Sequence, residues 1–185
     1  MSILLNKNAL IIIPKSQFCE KELFGLRSAL MQSGMHVVIL SKLGQAARGM
    51  EGEKFQPDGM VIDWNKQPGV RDKYHVVILI GGKGSKKSLW DDPIIPQILT
   101  DHYRAGSVIG AIGSSLVVLI MTSLVTGEIP LPQDDDTRKK LESLGAICID
   151  NPVTSLGRIV CGQDSDSIDK FSKTILDLMK FDEVF

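Results

Sequence analysis

The stretch at residues 107–125 constrains the fold more than any other part of the chain. Residues 107–112 form a short, mostly apolar run, which is typical of a strand buried in a parallel sheet. Residues 113–115, Gly-Ser-Ser, then interrupt the run with a turn residue and two residue types that favour helix N-caps. The apolar sequence resumes over residues 116–125 and predicts a buried helix. A strand that turns sharply into a helix brings backbone amides together, and in many α/β enzymes a nucleophile lies at this turn.

This stretch also has to be tested as a membrane span. It carries no charge from residue 108 to residue 125, which is close to the shortest length that crosses a bilayer. Gly110 and the Gly-Ser-Ser turn break it in the middle, and the chain has no second stretch of this kind. We therefore predict a buried strand and helix, and no membrane partner.

The rest of the chain alternates between predicted strands and predicted helices. Apolar runs predict strands at residues 9–13, 35–40, 76–80, 146–149 and 158–161. Helical spacing and capping residues predict helices at residues 20–33, 93–105, 134–140 and 167–179. The polar, glycine-rich residues 44–74 predict a hairpin in which residues 60–63 form one strand. This order predicts an α/β fold with a mostly parallel central sheet covered on both faces, and 185 residues suit a single domain spanning 1–185.

Composition excludes several classes of function. A net charge of -1 gives no electrostatic case for binding nucleic acid. An odd number of cysteines in apolar surroundings favours reduced thiols and a cytoplasmic protein, and no signal peptide is expected. The histidines are far apart and none is paired with a cysteine at zinc spacing, so neither a metal nor a cofactor is predicted. The residues concerned are Cys19, Cys148, Cys161, His36, His75 and His102.

Several segments, taken in order, resemble the ThiJ/PfpI superfamily over about residues 7–180. They are residues 9–14 (Ala-Leu-Ile-Ile-Ile-Pro), residues 18–23 (Phe-Cys-Glu-Lys-Glu-Leu), Gly34, residues 74–82 (ending in Ile-Gly-Gly), residues 110–113 (Gly-Ala-Ile-Gly), residues 144–146 and residues 158–171. The resemblance implies a three-layer α/β/α, flavodoxin-like sandwich that is usually a homodimer and is related to class I glutamine amidotransferases. Glyoxalase, deglycase, peptidase, isocyanide hydratase and chaperone activities occur among proteins of this family.

The same resemblance implies a site that departs from the family pattern. The position of the family's nucleophilic cysteine falls on Gly113, which has no side chain to react. The family's histidine would fall on Ser114 or within residues 130–136, and neither place holds a histidine. The acid that faces the cysteine matches Glu22, and the turn whose amides help form the oxyanion hole matches residues 81–82. The chain therefore resembles a member that lacks the nucleophilic cysteine.

Physical chemistry makes a glycine at this turn intelligible. A nucleophile elbow holds its residue at backbone angles that cost about 1 to 3 kcal/mol of strain, and glycine adopts such angles without a Cβ clash. The alternative is that Gly113 is an ordinary tight-turn glycine of an α/β fold. Glu22 either points into the elbow cavity or only complements a helix dipole. We expect Ser114 and Ser115 to cap the helix, because a serine nucleophile needs a nearby base.

The leading hypothesis is a dimeric small-metabolite or anion-binding protein, with a regulatory or scaffold role. Glu22 is then a possible acid or base beside Gly113. We expect the ligand to contact Gly81, Gly82, Gly113, Ser114, Cys19 and Cys161, although Cys19 and Cys161 are also consistent with buried, unreactive thiols.

Two alternatives stay open. In the first, a cysteine-independent lyase, hydratase or glyoxalase-type enzyme uses Glu22 as its general base. In the second, a flavodoxin-like protein binds a nucleotide or flavin through the lysines of residues 83–87, although this loop lacks the Walker spacing. Residues 134–136, Asp-Asp-Asp, are expected to begin a helix and not to hold a metal.

Overall fold

A seven-stranded sheet forms the centre of this computed structural model, which describes residues 4–181. The strands are β1 (Asn8–Ile13), β2 (His36–Ser41), β3 (Ala47–Arg48), β4 (Lys54–Phe55), β5 (Gly59–Met60), β6 (Val76–Leu79), β7 (Val108–Ile112), β8 (Glu128–Pro130), β9 (Ile147–Ile149), β10 (Val153–Leu156) and β11 (Ile159–Gly162). The helices are α1 (Glu20–Gln32), α2 (Ser85–Ser88), α3 (Ile95–Arg104), α4 (Leu116–Met121), α5 (Asp135–Ser143) and α6 (Ile168–Phe181). The order in the central sheet is β10-β11-β7-β6-β1-β2-β5, and only the β10–β11 pair is antiparallel.

The predicted fold class is confirmed, and the apolar runs explain it. Strand β1 lies between β2 and β6, with Ile11 paired to Ile39 on one side and to Ile78 on the other. Its alternate residues face two separate cores, so both faces of the sheet are buried. Helices α3, α4 and α5 contribute to one core, and α1 and α6 contribute to the other. The result is a three-layer α/β/α sandwich.

The strand predicted at residues 60–63 is wrong. Strand β5 pairs with β2 for only two residues, and Val61–Lys66 then forms a 3-10 helix. The Asp58 carboxylate accepts a hydrogen bond from the Ile39 N–H at 2.8 Å, which anchors this short edge strand to β2. The hairpin in this region consists of β3 and β4.

The last third of the chain also differs from the predictions. Strand β9 lies outside the central sheet, because it pairs with β8 in a separate two-stranded sheet. Helix α4 ends at Met121, four residues earlier than predicted, and Ser123 then adopts a positive φ of 59°. Within residues 4–181, no helix combines the length and the hydrophobicity needed to cross a bilayer.

The junction between β7 and α4 has the backbone geometry that favours glycine. Gly113 has a φ of 60° and begins a 3-10 turn that leads into α4. A Cβ atom added there would stand 3.1 Å from Oε1 of Glu22, which is tighter than ordinary van der Waals contact. The junction thus presents bare backbone to the carboxyl group of Glu22.

We expect Gly113→Ala to lower the free energy of unfolding by about 1 to 2 kcal/mol, because an L-residue is strained in the left-handed region. Gly157→Ala is the matched control, since Gly157 has a φ of 57° and no atom within 4 Å of its added Cβ. Urea denaturation should show that Gly113→Ala lowers the free energy of unfolding by at least as much as Gly157→Ala does. Any additional loss in Gly113→Ala measures the contact of the new methyl group with Glu22. A Gly113→Ala protein as stable as the parent would contradict this account of the junction.

Candidate functional site

A cavity of about 550 Å³ opens at the carboxyl edge of the sheet, beside the β7–α4 junction. Parallel strands bring their carboxyl ends to one edge, so the segments that follow β1, β6, β7 and β11 meet here. The cavity is lined by Cys19, Glu22, Met50, Gly82, Lys83, Lys86, Trp90, Gly113, Ser114, Pro132, Gln133, Asp134, Asp136, Thr137, Gln163, Asp164 and Ser165.

Glu22 is the buried acid of this cavity. It lies in the first turn of α1 and is only 4% exposed. Its Oε2 accepts a hydrogen bond from the Gly81 N–H at 2.7 Å, which ties α1 to the end of β6. Its Oε1 faces the space above Gly113, at 3.1 Å from where a Cβ would stand. The carboxyl group therefore points into the elbow.

Burial raises the pKa of Glu22 to about 8, and the charge of Asp164 acts in the same direction. The hydrogen bond from Gly81 opposes this shift and is the smaller effect. The carboxyl group is consequently neutral in most molecules at pH 7. Because Oε2 accepts from Gly81, the proton of the neutral acid belongs on Oε1. Glu22 can then donate a hydrogen bond into the space above Gly113.

Cys19 shares the cavity with Glu22. It occupies the N-cap position of α1, and its backbone N–H donates to the Gly81 carbonyl at 2.9 Å. Burial and the neighbouring Glu22 raise the pKa of the Cys19 thiol to about 11. The thiolate form that nucleophilic attack requires is therefore scarce at neutral pH.

The expectation that Ser114 and Ser115 cap the helix is confirmed only in part. Ser115 occupies the N-cap position of α4, and its hydroxyl makes a capping-box contact with the Ile112 N–H at the start of the 3-10 turn, but its side chain makes no capping hydrogen bond with α4 itself. The Ser115 hydroxyl donates toward the Leu79 and Ile112 carbonyls and accepts from the Ile112 N–H, which ties β6 to β7 inside the protein. The Ser114 hydroxyl exchanges hydrogen bonds with the backbone of Gly82 and contacts Ser85. Both serines hold strand ends and turns together.

The amides of Gly81 and Gly82, which the resemblance assigned to an oxyanion hole, are both engaged within the protein, and Gly81 does not line the cavity. The Gly81 N–H is bound to Glu22, and the Gly82 N–H donates to the Ser114 hydroxyl at 3.0 Å. Within residues 4–181, the next amide, that of Lys83, donates only to the thioether sulfur of Met50 at 3.3 Å, and a thioether is a weak acceptor. A ligand oxygen would therefore replace the acceptor of the Lys83 N–H at a lower free-energy cost than the acceptor of the Gly81 or Gly82 N–H.

Cys161 does not line the elbow cavity. Strand β11 carries it into the core that faces α3 and α4, and burial raises the pKa of its thiol to about 12. It borders a separate cavity of about 400 Å³ beside β8 and β10. Strand alternation explains this outcome, since successive residues of β11 face opposite cores.

Charged residues that the sequence analysis did not assign to the cavity complete its lining. Lys83 and Lys86 bring positive charge, and Asp164, Asp134 and Asp136 bring negative charge. The Asp134 carboxylate caps α5 by accepting from the Thr137 N–H at 2.8 Å, as predicted for a helix start. Over residues 4–181, no three His, Cys, Asp or Glu side chains are grouped to hold a metal ion.

Asp164 was missed although a signal for it exists. It follows β11 at the same edge of the sheet as the predicted elbow, so the parallel topology could have placed it near Glu22. Its Oδ1 accepts from the Asp166 N–H, and its Oδ2 is buried without a partner among the described residues.

We expect Glu22 to make stability depend on pH. Its pKa is about 8 in the folded protein against 4.5 ordinarily, so folding takes up a proton between these values. The contribution of Glu22 to the free energy of unfolding is fully present below pH 4.5. It falls by up to about 1.4 kcal/mol per pH unit as the pH rises, and it levels off above pH 8. Urea denaturation of the parent and of Glu22→Gln from pH 5 to 9 measures the difference. Identical slopes in the two proteins would contradict the assignment.

Comparison with known proteins places this chain in a family. The model of the DJ-1/PfpI family matches residues 7–178. The uncharacterized protein MJ0967 of Methanocaldococcus jannaschii is 27% identical over 175 residues, which are 92% of this chain and 82% of that protein. The glutathione-independent glyoxalase DJR-1.2 of Caenorhabditis elegans is 23% identical over 175 residues, 94% of this chain and 89% of that one.

Solved structures agree on the fold. The ThiJ/PfpI domain protein from Brachyspira murdochii superposes with a TM-score of 0.81 at 18% identity, covering 95% of this chain and 97% of that one. Drosophila melanogaster DJ-1beta gives a TM-score of 0.75 at 21% identity, covering 93% of this chain and 90% of that one. With the family model matching nearly the whole length, the chain belongs to the DJ-1/PfpI family.

Proposed function

We propose that the protein binds a small carbonyl or carboxylate metabolite at the elbow and has lost cysteine-dependent catalysis. The observation that carries the proposal is the position of the Glu22 carboxyl group, which is only 4% exposed and places Oε1 3.1 Å from where a Cβ of residue 113 would stand. Burial also raises the pKa of this group, which favours its neutral form. A carbonyl or carboxylate oxygen of the ligand would occupy the space that a side chain at residue 113 would fill. It would accept a hydrogen bond from the Glu22 carboxyl group there. The role we assign to such binding is regulatory or scaffolding, in a cytoplasmic homodimer.

The charges of the cavity restrict the ligand. Lys83 and Lys86 favour an anion, whereas Asp134, Asp136 and Asp164 oppose a large negative charge. Lys86 is in part engaged, since its ammonium lies 3.8 Å from Asp136. A neutral carbonyl compound or a monocarboxylate fits this balance better than a phosphate.

The loss of cysteine-dependent catalysis is supported by the groups around the elbow. Residue 113 has no side chain, and the Cys19 thiol has a pKa of about 11. No histidine lines the cavity among residues 4–181. Ser114 is hydrogen-bonded to Gly82 and Ser85 and has no general base as partner in these bonds.

A second candidate is an enzyme that uses Glu22 without a cysteine. A carboxylate with a pKa of about 8 is suited to removing a proton from carbon beside a carbonyl group near neutral pH. A relative of this chain carries the name glutathione-independent glyoxalase. The nucleotide or flavin alternative is not favoured, because the Gly84 and Ser85 amides of the lysine loop donate to the carbonyls of Gln17 and Gly82.

Binding of glyoxylate and of acetate tests the proposal. We expect saturable binding by isothermal titration calorimetry at pH 6, weakened at least tenfold at pH 9, because ionised Glu22 repels an anion and donates no hydrogen bond. Glu22→Gln keeps a donor and should bind with little dependence on pH. Gly113→Ala places a methyl group in the ligand's space and should weaken binding, whereas Gly157→Ala should bind as the parent does. The proposal would be overturned if the parent protein bound neither glyoxylate nor acetate.

A turnover assay separates binding from catalysis. We expect the purified protein to consume methylglyoxal no faster than Glu22→Gln does. Turnover that rises as pH passes through 8, disappears in Glu22→Gln and survives in Cys19→Ser would instead establish the second candidate.

A further inference from the structure

Another cavity lies at the opposite edge of the sheet from the elbow. It measures about 850 Å³ and lies beneath the amino ends of four neighbouring strands. Asn8 begins β1, His36 begins β2, His75 precedes β6 and Ser107 precedes β7, and all four line it. Its volume is in the range of small-molecule sites.

The charge of this amino-edge cavity is strongly positive. Lys7, Arg71 and Lys73 line it together with a single carboxylate, that of Asp72. Lys7 and Lys73 are half-buried residues, whereas Arg71 is exposed. None of the three cations forms an ion pair with a carboxylate of residues 4–181. Clustered positive charges that form no ion pair within the described residues are suited to an anionic ligand.

Two of the lining side chains are held in place. The Lys73 ammonium lies 4.9 Å from the centroid of the Trp64 ring, in a cation–π contact. His75 accepts a hydrogen bond at Nδ1 from the Asn8 N–H at 3.0 Å, which leaves Nε2–H as the donor of the ring. Burial lowers the pKa of His75, and the charge of Lys7 adds to this effect.

We propose that the amino-edge cavity binds the diphosphate group of a small molecule through Lys7, Arg71 and Lys73. The lining carries three cations and the one carboxylate of Asp72, so its excess of positive charge complements the negative charge of a diphosphate. Guanidinium and ammonium groups are the usual protein partners of phosphate oxygens. A polymeric nucleic acid is disfavoured, because the whole chain has a net charge of -1. The site lies outside the elbow and is independent of the function proposed there.

Calorimetric titration with inorganic pyrophosphate at low ionic strength tests the site. We expect saturable binding that the double variant Lys7→Gln/Lys73→Gln weakens at least about tenfold, since two charge-assisted hydrogen bonds are lost. Lys139→Gln removes one exposed charge outside both cavities and should leave the affinity within about twofold. Titration with ADP distinguishes the sources of the ligand: comparable binding assigns a nucleoside diphosphate, and absent binding assigns the free diphosphate.

Two further measurements locate the ligand. On addition of pyrophosphate, the ring resonances of His36 and His75 should shift, whereas the indole N–H resonance of Trp90, which lines the elbow cavity, should not. Where the double variant melts well below the parent, Arg71→Gln provides the same test at an exposed residue. The proposal is overturned by a parent that does not bind pyrophosphate, by equal weakening in Lys139→Gln, or by weakening confined to Lys83→Gln/Lys86→Gln at the elbow.

Discussion

The hydrogen bond between the Gly81 N–H and the Glu22 carboxyl group is the contact on which the arrangement of the elbow depends. It joins the first turn of α1 to the end of β6, and it fixes which carboxyl oxygen faces the β7–α4 junction. A carboxyl group buried this deeply resists ionisation, because the loss of hydration penalises its charged form and no cation of residues 4–181 contributes an opposing effect. The elbow is therefore built around a neutral acid, and its chemistry follows from where that acid donates.

The parallel sheet explains why polar groups from distant parts of the sequence reach this acid. Strands β1, β6, β7 and β11 run in one direction, so the segments after them converge at a single edge. Ser115 reinforces the edge from inside by linking the Leu79 carbonyl to the backbone of Ile112. The same topology gathers the residues that precede the strands at the other edge, where cations predominate. One sheet thus separates an acidic elbow from a basic cavity.

The parts of the structure that depend on local pattern could be predicted from the sequence. The apolar runs of β1, β6 and β7, the helix α1 and the Asp134 cap of α5 follow from burial and capping preferences. The 3-10 helix after Met60 begins where the pairing of β5 with β2 ends, after only two residues. The length of that pairing is a tertiary property that local sequence patterns do not predict. The side of the sheet on which Cys161 lies depends on the register of β11 against β7. The partners of the Gly81 and Gly82 amides are likewise set by tertiary contacts.

The glycine at residue 113 changes what the rest of the elbow has to do. A side chain at a φ of 60° would be strained, and the surrounding packing would have to compensate for it. Glycine removes this requirement and also removes the group that the neighbouring acid would otherwise contact. Under the proposed function, Glu22 then becomes the principal donor to a ligand, and the space above Gly113 becomes a place for a ligand oxygen. Membership of the family accordingly establishes the fold, whereas the chemistry of the elbow has to be argued from the side chains that this chain places there.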